Sequence, residues 1–234
     1  MYTKSAPFYD VIYSSKNYER EAHIVHRIIW EHRRSTGKVL LDVGCGTGGH
    51  LIFLREHYTV KGLDINPDLL KIALQRCPEG EFFEADMVDF TLGYRVDAII
   101  CLFSAIGYVK TVPRLRQAIQ TMRRHLKPGG VMIVEPWLTP DTWRPGLPHA
   151  RFVDEPELKI ARLTVSEQEG RISRNDFHYL IATPQGVSHF VERHELGLFT
   201  HDEYMTALQD AGLEIIYDPD GLIGRGLYIG LLPL

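Results

Sequence analysis

Cysteine is scarce. The 234 residues hold three, Cys45, Cys77 and Cys101, with no C-x-x-C pair and no Cys/His spacing of a zinc site. An odd number of isolated thiols excludes a disulfide framework, so they read as reduced structural residues. No uncharged apolar run approaches the roughly 18 residues that a membrane-spanning helix needs. The first segment, MYTKSAPFYDVIY, lacks the apolar stretch behind a basic start that marks a secretory signal. The expectation is a cytoplasmic protein without membrane attachment. Basic charge is not in excess either: 26 Lys and Arg against 30 Asp and Glu leave a net charge of -4, so no overall positive field gathers nucleic acid. No nucleic-acid partner is expected. The eleven histidines are scattered. His23 and His26 lie three apart on one helical stretch, but no third ligand and no H-E-x-x-H frame accompanies them. They read as a solvated helix face, and no metal is expected.

What is present is an ordered alternation. Ala22, Val25, Ile28 and Ile29 recur at helical spacing, predicting an amphipathic helix over 19–34. KVLLDV, YTVKGLDI, EFFEADM, VDAIICLF and VMIVEPW read as strands. Between them GGHLIFLREH, PDLLKIALQRC (with Pro67 in its first turn) and VPRLRQAIQTMRRHL, ending at KPGG, read as helices. Strands separated by helices need crossover connections, hence a parallel sheet. After Trp137 the pattern changes. RFVDE, LKIARLTVSEQ, RISRNDFHYLIATP and VSHFVERHELGLF are β-rich and punctuated by turn residues, predicting an antiparallel sheet inserted at 141–198. The main domain then comprises 1–140 and 199–234. It resumes with a helix over THDEYMTALQDAG, carrying a Thr200/Glu203 capping box and a terminal Gly212, and ends in a hairpin of LEIIYD and GLYIGLLP.

LLDVGCGTGGHL, Leu40 to Leu51, carries two overlapping glycine patterns. Gly44, Gly46 and Gly49 spell G-x-G-x-x-G, while Asp42, Gly44, Gly46 and Gly48 spell D-x-G-x-G-x-G. Either lets the chain turn sharply after the first strand and exposes main-chain N–H groups to a ligand. Asp64, twenty residues beyond Gly44 at the end of the second strand, can accept two ribose hydroxyls in nicotinamide and S-adenosylmethionine enzymes alike. Asp42 discriminates: a carboxylate on an apolar strand is costly unless it meets a cation. S-adenosylmethionine brings an ammonium and a sulfonium, whereas a pyrophosphate would be repelled. Asp86 and Met87, ending the third strand, suit the exocyclic amine and flat face of adenine.

These segments, with FSAIGYV and LKPGGVMIVEPW, resemble the motif series of class I S-adenosylmethionine-dependent methyltransferases over residues 38–137. A narrower resemblance spans nearly the whole chain. FYDVIYSSKNY, FSAIGYVKT, EPW, HELGLFTHDEYMTALQDAGL and GRGLYIGL resemble the N,N-dimethyltransferases of nucleotide-linked 3-amino-deoxysugars. The resemblance implies a doubly wound, seven-stranded Rossmann-like α/β sheet with an inserted antiparallel β lid. It further implies S-adenosylmethionine as cofactor and a nucleotide-diphosphate aminosugar as substrate, and a homodimer is compatible with it.

By the same resemblance Gly44, Gly46 and Gly48 line the methionine part of the cofactor, with Asp42 near its amino group. Asp64 takes the ribose, Asp86 and Met87 the adenine, while Tyr18 and Lys16 cover the cofactor from the N-terminal arm. Leu102 and Phe103 are either core or a backbone bracket on the cofactor. Tyr13 and Tyr108 are the candidates for holding the substrate amine; some relatives carry histidine at the latter place, which argues against a strict general base here. Arg225, between Gly224 and Gly226, can meet a diphosphate bidentately. Period two puts Arg174, Asp176 and His178 on one face of a strand, and His189, Val191 and Arg193 on one face of the next. His178 and Arg193 are thereby candidate substrate contacts or a solvated outer face. Trp137 is a candidate base-stacking or pocket-wall residue. The other readings are a methyltransferase of a glycine-type amine or a hydroxyl, an NAD-dependent oxidoreductase, and a silent cofactor-binding module.

Overall fold

The computed structural model describes residues 3–234. A short α1 (Tyr9–Ile12) and a long α2 (Tyr18–His32) precede the sheet. Then follow β1 (Val39–Val43), α3 (Leu51–Leu54), β2 (Thr59–Asp64), α4 (Pro67–Arg76), β3 (Glu81–Glu84), β4 (Val96–Cys101), α5 (Val112–Arg124) and β5 (Leu126–Val134). Four strands come next: β6 (Pro148–Glu155), β7 (Leu158–Glu169), β8 (Ile172–Thr183) and β9 (Gly186–Gly197). The chain closes with α6 (His201–Asp210), β10 (Glu214–Asp218) and β11 (Leu227–Leu231).

Seven strands make one sheet in the order β3-β2-β1-β4-β5-β11-β10. The first five are parallel, and β11 runs antiparallel to both β5 and β10. The central strands are apolar on both faces because helices cover both sides. Leu40, Ala98 and Ile100 pack with Val25 and Ile29 of α2. Leu41, Val43 and Ile99 pack on the opposite face with Leu115 and Ile119 of α5. Helix starts follow their caps: Asn66 accepts from Asp68 N and Leu69 N before α4, Thr111 caps α5, and Thr200 with Glu203 forms the expected capping box of α6.

Three boundaries differ from expectation. The helix expected from GGHLIFLREH keeps only one regular turn, α3, because Gly48 and Gly49 make an irregular entry. The fourth strand stops at Cys101 rather than Phe103, where the backbone turns left-handed: φ is 50° at Phe103 and 63° at Ser104. KPGG lies within β5 rather than at the end of a helix.

Strands β6 to β9 form a separate antiparallel meander. Its inner face carries Arg162, Thr164, Asn175, Tyr179, Glu192 and His194, all buried. Its outer face exposes Phe152, Leu163, Val165, Leu180, Val187 and Val191. The N-terminal arm crosses the inner face: Lys4 N donates to Glu192 Oε1 at 2.6 Å and Ser5 Oγ binds the same carboxylate. Farther along, Asp10 accepts from Thr47 Oγ1 at 2.7 Å and pairs with Arg76 at 2.8 Å, tying the arm to the glycine loop and α4.

Asp97 opens β4 and aligns three segments. Its fully buried carboxylate accepts from Gly37 N and Val39 N, each at 3.0 Å, and from Lys127 Nζ at 2.9 Å. Burial opposes its ionisation, but the Lys127 ammonium and the Val39 N–H outweigh that and hold the carboxyl below the usual aspartate value. A depressed pKa gives stability that is present above the unfolded value near 4 and disappears as pH falls through the folded one. Asp97→Ala should therefore cost about 2–3 kcal/mol at neutral pH, with the urea curves of variant and wild type converging on acidification. A gap that does not change with pH would assign the loss to packing instead.

Candidate active site

In an open parallel sheet the loops beyond the carboxyl ends of the strands meet where the strand order reverses, here between β1 and β4. A cavity of about 1280 Å³ lies there. One small ligand fills roughly 300–1,000 Å³, so the space suits two molecules together. On the β1–β2–β3 side the wall includes Gly44, Gly46, Asp64, Asp86, Met87 and Leu102. On the β5 and meander side it includes Tyr13, Tyr108, Trp137, Arg162, His194 and Arg225.

The first half is built around Asp64. Its Oδ2 accepts from Gly46 N and its Oδ1 from Asn66 N, both at 2.9 Å, so one carboxylate joins the glycine loop to the start of α4. Gly44 stands at φ 78°, and a Cβ there would come within 2.6 Å of Ala105 Cβ. Only glycine meets both conditions. Asp42 is buried two residues earlier; burial first, and repulsion from Asp64 second, push its carboxyl up to about 8. Such a group gains when a cation arrives and loses when an anion does. The pair thus fits a cofactor bearing an ammonium and a sulfonium, and does not fit a pyrophosphate. Asp86 accepts from Val88 N at 3.1 Å and pairs with Arg114 at 2.8 Å, beside Met87 on the wall. Gly48, Tyr18 and Asp42 lie behind the wall rather than on it. Gly48 faces Ala73, and the Tyr18 ring packs over Gly49 and edge-on to His50 at 4.9 Å. On this side the wall also takes Lys16 and Asn17 from the arm and Arg20 and Glu21 from α2. Lys16 Nζ pairs with buried Glu21 and sits 4.2 Å above the Phe103 ring; Glu21 also accepts from His50 Nε2 at 2.8 Å.

The second half depends on the left-handed turn after β4. Two non-glycine residues at positive φ cost of order 1–3 kcal/mol each, so the surroundings must impose the conformation. They do. Phe103 N donates to Glu135 Oε2 at 2.6 Å, Ser104 Oγ donates to Pro136 O at 2.8 Å, and Arg225 donates to Ser104 Oγ at 2.8 Å. The turn aims Tyr108 at the cavity, where its hydroxyl lies 2.7 Å from His194 Nδ1. Burial, reinforced by the Arg162 charge, lowers the His194 pKa to about 4, leaving a neutral imidazole. Arg225 stacks 4.7 Å above Trp137, whose Nε1 donates to Ser173 Oγ at 2.8 Å. Arg162 donates to Tyr13 Oη at 3.0 Å, and the Arg162 and Arg151 guanidinium groups stand 5.2 and 5.3 Å from the Tyr13 ring.

The meander corrects one expectation. His178 and Arg193 project from the outer face, exposed, with Arg193 paired to Asp176 at 2.8 Å. The opposite parity, Asn175, Phe177 and His194, faces the cavity. The exposed Arg193–Asp176 pair drew the sequence reading to the outer face, whereas the inner face buries Arg162, Asn175 and His194 among aromatic residues. Also missed were Arg151, Arg162, Glu21 and Glu135. Glu21 had a signal, because it falls four residues before Val25 on the apolar stripe of α2. Glu135 is wholly buried at the end of β5, and burial raises its pKa; its Oε1 has no hydrogen-bond partner among the described residues. Of the two α2 histidines singled out in the sequence, His23 is exposed, while His26 departs from a plain solvated face: it stacks on His57 at 3.8 Å and bonds Tyr58 Oη at 3.0 Å.

Known proteins share this construction. A family profile described as "Methyltransferase domain" matches residues 40–130. The chain is 38% identical over 230 residues to a dTDP-3-amino-3,6-dideoxy-alpha-D-glucopyranose N,N-dimethyltransferase of Streptomyces fradiae, covering 97% of this chain and 90% of that protein. It is 40% identical to a dTDP-4-amino-2,3,4,6-tetradeoxy-D-glucose N,N-dimethyltransferase of Saccharopolyspora spinosa, covering 97% and 92%. Among solved structures, Streptomyces venezuelae DesVI superposes with a TM-score of 0.89 at 36% identity over 97% of each chain. CalS10 of Micromonospora echinaspora, an amino pentose methyltransferase solved with S-adenosylmethionine bound, gives 0.85 at 34%, covering 99% and 98%. Matched along nearly its whole length by these enzymes, in sequence and in fold, the chain belongs to the S-adenosylmethionine-dependent methyltransferases.

Proposed function

We propose that the chain N,N-dimethylates the amine of a nucleotide-diphosphate-linked aminosugar, with the four-stranded sheet acting as the lid over that substrate. The observation that carries this reading is the division of charge within one cavity. Asp42 and Asp64 mark the side suited to a cationic cofactor, where Lys16 and Arg114 are paired with Glu21 and Asp86, and Arg151, Arg162 and Arg225 mark the side suited to a diphosphate. Three relatives named as dTDP-aminosugar N,N-dimethyltransferases, each at 38–40% identity, support it.

When bound, S-adenosylmethionine supplies a methyl carbon on a sulfonium, which a neutral amine attacks in line. Asp64 would hold the ribose hydroxyls, Asp86 and Met87 the adenine, Gly44 and Gly46 the methionine portion, and Asp42 its ammonium from beneath the loop. Leu102 would bracket the cofactor. Tyr13 and Tyr108 would hold the amine between them while the arm and lid exclude water. Orientation in such a pocket can supply much of the rate without a dedicated base. Trp137 and Arg225 would form the wall against which the nucleotide sugar lies. The working place is read as the cytoplasm, which the buried, free Cys45, Cys77 and Cys101 support. Among the described residues no helix is long and apolar enough to cross a membrane. The apolar outer face of the lid supports pairing with a second copy of the chain, since a two-fold contact covers the same face on both.

The central test is turnover of a panel of thymidine-diphosphate aminosugars with labelled cofactor, followed by mass spectrometry. The reading requires two methyl groups on the sugar nitrogen; no turnover across the panel, with turnover of a simple amine, would replace the substrate class.

Cofactor affinity should depend on pH through Asp42. The carboxyl is protonated below about 8 in the free protein, and a cation favours its ionised form, so binding expels a proton. Affinity is expected to climb up to about tenfold per pH unit between roughly 6 and 8, then level off. Asp42→Asn should bind more weakly and lose the slope. Calorimetry in buffers of different ionisation enthalpy reads the released proton, and a flat profile in the wild type would sink the assignment.

Arg225→Ala should raise the Michaelis constant for the nucleotide sugar by about tenfold or more, the worth of a charge-assisted contact, while that for the cofactor stays within about twofold. Equal changes in both would make Arg225 merely a prop for the Ser104 turn.

A further inference from the structure

Tyr108 and His194 come from distant parts of the chain, one from the turn after β4 and the other from β9, and meet across the cavity wall. Their rings are inclined at 61° with the hydroxyl oxygen 2.7 Å from Nδ1. His194 is 1% exposed, and Phe177 packs against it at 5.0 Å between centroids. The imidazole cannot swing freely to another partner.

A neutral imidazole has one N–H and one acceptor nitrogen, and a phenol has one hydrogen to donate. Two arrangements satisfy the 2.7 Å contact. Either Oη–H donates to Nδ1, or Nδ1–H donates to Oη. A phenol O–H is a stronger acid than a neutral imidazole N–H, and an imidazole nitrogen is a better acceptor than a phenol oxygen, so the first bond is the stronger. The difference decides what the tyrosine offers a substrate. A hydroxyl hydrogen left pointing into the cavity would bond to the amine's lone pair, the pair that must attack the methyl carbon. A hydroxyl whose hydrogen is already engaged presents only lone pairs, and can bind the amine only through an N–H.

We propose that His194 is a positioning residue that accepts the Tyr108 hydroxyl hydrogen at Nδ1, making Tyr108 an acceptor-only contact that turns the substrate amine's lone pair toward the methyl donor. The proposal rests on the amine-methyltransferase reading above. It also bears on the number of transfers. Primary and secondary amines each have an N–H to give Tyr108, but a neutral tertiary amine has none, so the orienting contact serves two rounds and not a third.

The test uses the full chain with His194→Phe, Tyr108→Phe, the double variant and His194→Asn, whose amide oxygen can stand where Nδ1 stood. Each Phe single variant should lower kcat about tenfold, the range of one lost orienting hydrogen bond, with cofactor affinity by calorimetry unchanged. In the Tyr108→Phe background, His194→Phe should cost no more than about twofold further, and His194→Asn alone should recover most of the turnover. Independent, multiplicative losses would overturn the proposal. A second measurement does not depend on activity or on the Phe variant folding: in ¹⁵N-histidine-labelled wild type, the ring nitrogens of His194 should report an unprotonated, hydrogen-bonded Nδ1 and a protonated Nε2. A protonated Nδ1 would overturn it outright. If the wild type methylates no aminosugar, the substrate reading falls, while the nitrogen shifts still decide which way the Tyr108 hydroxyl points.

Discussion

Two carboxylates that repel each other govern this site. Asp42 and Asp64 stand on neighbouring strands, β1 and β2; Asp42 is buried, and the nearby Asp64 adds to the cost of ionising it. Asp64 is partly compensated by the backbone N–H groups of Gly46 and Asn66, although burial still keeps its pKa raised. Asp42 has no comparable relief among the described hydrogen bonds. The arrangement is a local instability that a cationic ligand removes. Asp64 also joins the glycine loop to the start of α4 through Gly46 N and Asn66 N.

Away from those strands the physics changes from charge to imposed geometry. The turn at Phe103 and Ser104 occupies backbone angles that neither residue prefers, and Glu135, Pro136 and Arg225 hold it there. That strain places Tyr108 at the cavity wall opposite the lid. The lid supplies the other half of the contact, so the reacting space exists only where two separately stabilised sheets meet. Rigid elements set the glycine-loop side of the cavity, while side chains from the arm, the four-stranded sheet and the terminal loop set the other.

How far the sequence revealed this varied with the kind of interaction. The parallel sheet was readable because both-face burial leaves runs such as VLLDV and VDAIIC that are apolar but for one aspartate, and the capping box of α6 because its two residues lie only three apart in sequence. The glycine loop was readable for the same reason, a short-range pattern bound to one backbone geometry, and the place of Asp64 on the cavity wall from its position at the end of the second strand. Tyr18 was not, since whether an aromatic faces a ligand or covers Gly49 depends on helix rotation that no local pattern encodes. On the lid, alternation revealed strands but not which face was inside. Arg162 and His194 were passed over, while exposed His178 and Arg193 drew attention by their charge. Glu135 could be judged only once the turn it supports was visible.

The N-terminal arm is fastened at two points to two different bodies. Lys4 and Ser5 bind Glu192 of the lid, while Asp10 binds Thr47 and Arg76 of the main domain. Tyr9 between them and Tyr13 just beyond the second form part of the cavity wall. The arm is therefore a strap rather than a tail, and its length is part of the architecture. Shortening the chain past Ser5 would cut the strap from the lid while leaving every strand intact. A truncated form would then show an unaltered fold by circular dichroism and a substrate chamber with one wall unlatched.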